Sequence, residues 1–197
     1  MALTIQSFSG SDATPFFGDL ARLRSTVFRA FPYLYEGTPD YEQTYLSTYA
    51  KSEGSVFVLA IDGHQVVGVA TGTPMTGETD EVKRPFLEAG LHPHEFFYFG
   101  ESVLLPEYRG QGIGVKFFEG REAQARKLGL RYATFCAVER PLDHPRRPVD
   151  YVPLDAFWAK RGYTHHPTLR TSFTWRDLDE TVESPKPLSF WIRDLKA

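Results

Sequence analysis

Six consecutive residues, Arg109-Gly110-Gln111-Gly112-Ile113-Gly114, are the part of the chain whose types and spacing most directly suggest chemistry. They follow an apolar, aromatic run, Phe96 to Leu105, that reads as a buried strand stopped by Pro106, and they lead into a segment with helical character. At such a junction the first backbone N–H groups of the helix have no internal partner, and the helix dipole leaves positive potential there. Glycines let main chain approach an anion with no β-carbon in the way, so the turn is suited to cradling phosphates. A pyrophosphate would be held largely by main-chain donors from Gln111 to Val115. The common nucleotide motifs do not fit. A dinucleotide fingerprint counted from Gly110 or Gly112 requires glycine where Val115 or Phe117 stands, and no Gly-Lys-Ser/Thr run supplies a P-loop.

The elements that must position this turn follow from pattern and punctuation. Leu3 to Ser7 reads as a short strand, Pro15 to Phe28 as a helix, Tyr33-Leu34-Tyr35-Glu36-Gly37 as a loop, and Asp40 to Tyr49 as a second helix. Ser55 to Ile61 and Gln65 to Thr71 flank Asp62-Gly63-His64, a strong hairpin signal. Gly72 to His94 reads as an irregular excursion with one helical turn around Arg84 to Ala89. After the glycine turn a helix is expected from about Val115 to Leu128, with Gly129 as its left-handed cap. Tyr132 to Val138 reads as a strand, Glu139 to Pro153 as a loop rich in proline and arginine, and Leu154 to Arg161 as a short helix ended by Gly162. Strands near Thr171 to Trp175 and Leu188 to Ile192 complete the chain. With no repeat and no linker, residues 1–197 form one domain of mixed-sheet α/β or α+β class.

On these residues the sequence resembles the Gcn5-related N-acetyltransferase (GNAT) superfamily. Its signature, Arg/Gln-x-x-Gly-x-Gly/Ala between the fourth strand and third helix, is filled by Arg109, Gly112 and Gly114 behind Pro106-Glu107-Tyr108. Ala156-Phe157-Trp158-Ala159-Lys160-Arg161-Gly162-Tyr163 looks like the family's aromatic-rich helix, and Ser189-Phe190-Trp191-Ile192 suits its last strand. The resemblance implies a twisted mixed sheet of about six or seven strands with splayed central strands. It implies acetyl-CoA as acyl donor, bound through Arg109, Gly110, Gln111, Gly112, Ile113, Gly114 and Val115. The pantetheine arm would pair with main chain of Val103, Leu104 and Leu105, and the same groups would polarise the thioester carbonyl.

An amine acceptor must react as the neutral form, and deprotonating a lysine-like ammonium at pH 7 costs roughly 4–5 kcal/mol. Glu101, in the strand feeding the turn, is the candidate base, acting directly or through a water. The tyrosine that many family members use as acid is replaced by Trp158, whose indole N–H is far too weak an acid. Tyr151 is the candidate substitute; an unaided thiol with a pKa around 8.5 also leaves tolerably. The alternatives are a CoA-binding sensor without catalysis, or an acyltransferase with another acyl donor or a hydroxyl acceptor.

The resemblance places the acceptor between the Tyr33–Glu36 loop and the loop after the fifth strand. Tyr35, Glu36 and Arg140 are therefore the expected substrate-binding residues. Arg140, Arg146 or Arg147 would hold an anionic group, whereas Glu36 and Asp150 would attract a polyamine or aminoglycoside. A net charge of −3, from 22 basic and 25 acidic residues, gives no footprint for nucleic acid or anionic lipid, so a small-molecule acceptor is expected. One cysteine, Cys136, excludes an internal disulfide and reads as a buried, inert thiol. The six histidines lack metal-ligand spacing, with His92, His94, His165 and His166 read as loop residues, and no metal is expected. No signal peptide or membrane-length apolar run is seen, so a cytoplasmic location is expected. An exposed aromatic C-terminal strand is expected to allow homodimer pairing.

Overall fold

Seven strands form a single mixed sheet in the order β1-β2-β3-β4-β5-β7-β6 in the computed structural model, which describes residues 3–37 and 39–196. They are β1 (Leu3–Ser9), β2 (Val56–Asp62), β3 (Gln65–Pro74), β4 (Phe96–Leu104), β5 (Tyr132–Val138), β6 (Thr164–Trp175) and β7 (Ser184–Asp194). All neighbours are antiparallel except β4 and β5, which run parallel. The helices are α1 (Phe17–Val27), α2 (Pro39–Lys51), α3 (Asp80–Glu88), α4 (Ile113–Lys127) and α5 (Asp155–Lys160). The main core lies where α1, α2 and α4 cover β2, β3 and β4, around Leu20, Leu23, Phe57, Val69, Phe99 and Phe117. A smaller one gathers Phe86 of α3 with Phe96 and Phe190.

The β2–β3 hairpin forms where Asp-Gly predicts it, with Asp62 opposite Gln65. α4 ends as its glycine predicts: Gly129 is left-handed, its N–H donates to Arg126 O and that of Leu130 to Ala125 O, a Schellman closure. The chain from 72 to 94 is more ordered than the sequence reading allows. α3 begins at Asp80 and keeps Pro85 in its interior. Proline removes the N–H that would bond Glu81 O, and the Thr171 hydroxyl of β6 supplies that bond instead at 2.6 Å. The missing donor comes from 90 residues away, beyond the reach of any local pattern.

Two further expectations are corrected. His165 and His166 are not loop residues but belong to β6, opposite Trp191 and Phe190. The ladder shifts between His166 and Arg170, so Pro167 falls where it owes no ladder bond. The C-terminal strand β7 is not an exposed edge. It lies between β5 and β6, and β1 and β6 are the edge strands, so the stated ground for homodimer pairing is lost. Among the described residues no helix is long and apolar enough to cross a membrane.

Candidate active site

β4 carries the central irregularity. Ala70 pairs with Ser102 and Gly72 with Phe99, so β4 spends three steps where β3 spends two, and the extra residue lies at Gly100–Glu101. The bulge is held from α4. Arg121 is 2% exposed and donates to Thr71 O at 3.4 Å, Glu101 O at 3.2 Å and Phe117 O at 3.0 Å. Its guanidinium also lies 4.1 Å from the centre of the Phe99 ring. Burial pushes Arg121 down to about 10, against the opposing pull of Tyr163, Tyr49 and the Glu101 and Glu122 carboxylates.

Below the bulge β4 pairs with β5 at only three positions, Phe96–Tyr132, Phe97–Ala133 and Tyr98–Thr134. Beyond them the strands part, while β5 stays paired to β7 as far as Val138. The gap exposes main-chain groups of β4. Leu105 N–H donates to Val67 O at 3.0 Å, so ladder alternation turns Val103 and Leu105 toward β3 and Leu104 and Ser102 toward the gap. Of the three residues expected to offer backbone to a pantetheine arm, Leu104 alone faces the opening.

At the end of the gap stands the glycine turn. Gly110 and Gly112 are left-handed, with φ of 75° and 80°, and a Cβ at either would meet nothing within 4 Å. Gly112 caps α4 without any side-chain bond. The N–H groups of Gly110 to Gly114 donate to no described residue, whereas those of Val115 and Lys116 already bond Gly112 O. Arg109 reaches back to Leu104 O at 3.4 Å, tying the turn to the strand. A Cβ at Gly114 would sit 3.4 Å from the Phe157 ring, which places α5 against the turn. Open space, free donors and a helix N-terminus coincide here, and the residues present fit a pyrophosphate-bearing donor.

Glu101 projects from the bulge to the α1–α2 face and is 6% exposed. Its Oε2 pairs with Arg24 of α1, whose guanidinium also pairs with Glu42 of α2. The Oε1 atoms of both carboxylates are buried without a hydrogen-bond donor. Beside them, burial raises the Tyr45 hydroxyl well above the usual phenol range, with the neighbouring Glu101 carboxylate adding to it. Tyr33 is raised by burial, then by Cys136 and Tyr151, and its surroundings also include Arg24 and Glu101. Sequence reasoning missed Arg24, Glu42 and Tyr45 because partners from three elements carry no shared spacing. Only the helical face of Leu20, Leu23 and Val27 could have hinted that Arg24 points inward.

The other expected residues fall nearby in different roles. Tyr151 stands edge-on to Phe31 at 4.7 Å beneath Arg147, and burial raises its hydroxyl. Trp158 packs between Phe135 at 5.1 Å and Trp191 at 5.2 Å. Tyr35 bridges to Asp177, and Leu178 N donates to O of Leu34, itself left-handed, so the α1–α2 loop is pinned to the β6–β7 hairpin. Glu36 accepts from Arg176 at 2.7 Å and Arg29 at 3.5 Å. Arg140 grips Asp177 with two bonds of 2.7 and 2.9 Å and donates to Pro32 O and Tyr33 O. Cys136 accepts or donates at 3.2 Å with Tyr98, and burial pushes its thiol up to about 12.

The site is thus a parallel pair that opens over a glycine-capped helix, with a buried carboxylate at the bulge beside it. The chain belongs to the acetyltransferase (GNAT) family, whose model matches residues 20–149. No curated protein matches the sequence. Among solved structures, an N-acetyltransferase from Staphylococcus aureus Mu50 is similar at 12% identity and TM-score 0.64, over 99% of each chain. A ribosomal-protein-alanine N-acetyltransferase from Brucella melitensis is similar at 13% identity and TM-score 0.63, over 97% of this chain and 99% of that one. The yncA protein of Salmonella typhimurium, solved with its cofactor acetyl-CoA, gives 11% identity and TM-score 0.61 over 99% and 95%. At such identities these likenesses speak for the fold.

Proposed function

We propose that this chain is an acetyl-CoA-dependent N-acetyltransferase that acts on a small amine by direct attack of that amine on the thioester. The observation that carries the reading is the parting of β4 from β5 beyond Tyr98 and Thr134, in line with the open turn at Gly110 and Gly112. Bound there, the donor would supply an activated acetyl thioester. The free N–H groups from Gly110 to Gly114 hold the pyrophosphate, and the gap-facing main chain of Leu104 and Ser102 binds the arm. The net reaction turns an ammonium and an acetyl thioester into an amide, a free thiol and one proton.

Glu101 takes the proton from the acceptor nitrogen, directly or through a water, at the oxygen that has no donor, Oε1. Arg24 and Glu42 hold that carboxylate in place; they are positioning residues. Tyr151 delivers a proton to the departing sulfur, with Tyr33, whose surroundings include both Tyr151 and Glu101, as the alternative donor. Arg140 acts by fixing the α1–α2 loop rather than by touching the acceptor, because Asp177 and two carbonyls take its donors. Glu36, engaged by Arg176 and Arg29, and Tyr35 border the acceptor from that pinned loop.

Amine-dependent release of free thiol from acetyl-CoA, followed with a thiol-reactive dye, tests the reading. Release in proportion to amide formed is expected. Binding of acetyl-CoA with no release for any amine would favour a second reading, a CoA-binding sensor, to which the packing of Trp158 where an acid is expected gives support.

A further inference from the structure

A chamber of about 150 Å³ opens beneath α2, between Tyr45 and Tyr49 on one side and Ser52, Thr73 and the turn Gly77–Thr79 on the other. It shares a wall with the bulge. Tyr45 adjoins the Glu101 carboxylate, and a Cβ on Gly100 would collide with the Tyr49 hydroxyl. The absence of a side chain at Gly100 is what lets Tyr49 reach across to Glu78, to which it donates at 2.8 Å.

Glu78 is the charged residue that lines this chamber. Glu42 and Glu101 stand behind Tyr45, with the Arg24 guanidinium between them and that of Arg121 on the Glu101 carbonyl. Each of these two glutamates leaves a buried Oε1 without a donor. Lys83, which acts on Glu78, is 3.3 Å from Asp80. The Ser52 and Thr73 hydroxyls bond each other at 2.6 Å and leave Glu78 as the charged group of the wall. Tyr45 and Tyr49, 5.4 Å apart, add ring surface beside that carboxylate. Phenol rings next to a carboxylate favour an ammonium. Size points to a small acceptor, since a space near 150 Å³ has room for about six non-hydrogen atoms. A four-carbon diamine has that many, whereas a multi-ring aminoglycoside has several times more.

We propose that this chamber receives the distal ammonium of a small diamine acceptor, bound by Glu78, so that the other amine is presented toward Glu101. The assignment rests on the acetyltransferase reading above and adds the acceptor's class to it.

The test compares 1,4-diaminobutane, n-butylamine and kanamycin as acceptors for wild type and Glu78→Gln, with the Kd for acetyl-CoA measured in both. Expected for wild type is a kcat/KM for the diamine at least about tenfold above that for butylamine. Glu78→Gln should raise the diamine KM about tenfold or more, and leave butylamine turnover and acetyl-CoA affinity unchanged. Equal use of the two alkylamines, turnover of kanamycin, or indifference of the diamine KM to Glu78→Gln would overturn the chamber assignment while leaving the acetyltransferase reading intact. Acetyl-CoA binding without turnover of any amine would count against catalysis instead. Calorimetric titration of 1,4-diaminobutane then decides the chamber: binding lost in Glu78→Gln supports it, and no binding to wild type overturns it.

Discussion

In the proposed reaction Glu101 is the base, and its surroundings show how a buried carboxylate would serve in that role. Its Oε2 is engaged by Arg24, so its orientation is fixed and Oε1 remains as acceptor for a proton. Glu101→Gln keeps the volume and removes the base. We expect kcat to fall about 10²- to 10³-fold with acetyl-CoA affinity retained, measured by thiol release and calorimetry; unchanged kcat would end the assignment. Arg140 provides the contrast. Its side chain is 9% exposed against 5% for Asp177, and removing one member of a buried pair costs about 3–5 kcal/mol. Arg140→Ala should show that loss in urea unfolding. A variant as stable as wild type but with a raised acceptor KM would return Arg140 to the list of acceptor ligands. From the sequence, the place of Glu101 before the turn was readable, because it depends on one strand. The role of Arg140 was not, since its partners come from residues 32, 33 and 177.

At the scale of elements, local punctuation was the reliable guide. Asp-Gly set the hairpin, Gly129 closed α4, and the glycine turn fell at the N-terminus of α4, each within a few residues of the prediction. What failed were features that long-range bonds complete. α3 survives its proline because Thr171 supplies the bond that Pro85 cannot. Thr171→Val should therefore cost about 1 kcal/mol in unfolding free energy, and less in a Pro85→Ala background, where the restored N–H can serve Glu81 O. Equal costs in both backgrounds would show that the two residues are not coupled. The bulge in β4 was equally hidden: nothing in Phe96–Leu105 announces an extra residue, and the buried Arg121 that satisfies it sits in another element. β6 reads in sequence as a strand near Thr171 to Trp175 alone, with His165 and His166 as loop residues before Pro167, yet the ladder runs on both sides of that proline.

Across the whole molecule, the two halves of the sheet meet at a parallel pair that opens, and the loop from α1 is locked onto the far hairpin by Asp177, Arg140 and Trp175. That lock has a pH signature. Lys186, then the Asp177 N–H and the Ser184 hydroxyl, hold Glu180 down to about 2. A carboxyl whose folded value lies below its unfolded one adds stability above the unfolded pKa, and that share is lost as pH falls through the folded one. Stability should thus decline between about pH 4.5 and 2, and Glu180→Gln should flatten part of that slope. An unchanged slope would mean that the hairpin lock is not what acid releases. The mixed α/β class was legible from strand–helix alternation, and the split between β4 and β5 from resemblance alone, because no residue type marks a gap between strands.

The measurement that bears most directly on the central claim is calorimetric titration of acetyl-CoA into wild type and Gly112→Glu, with NAD and ATP as controls. A left-handed glutamate there costs about 1–2 kcal/mol of strain, has open space for its side chain and sets a negative charge at the mouth of the cradle. Saturable binding of acetyl-CoA alone to wild type, lost in a variant that still unfolds cooperatively, is the predicted result. No binding to folded wild type, or undiminished binding to Gly112→Glu, would contradict the assignment of the glycine turn and the function built on it.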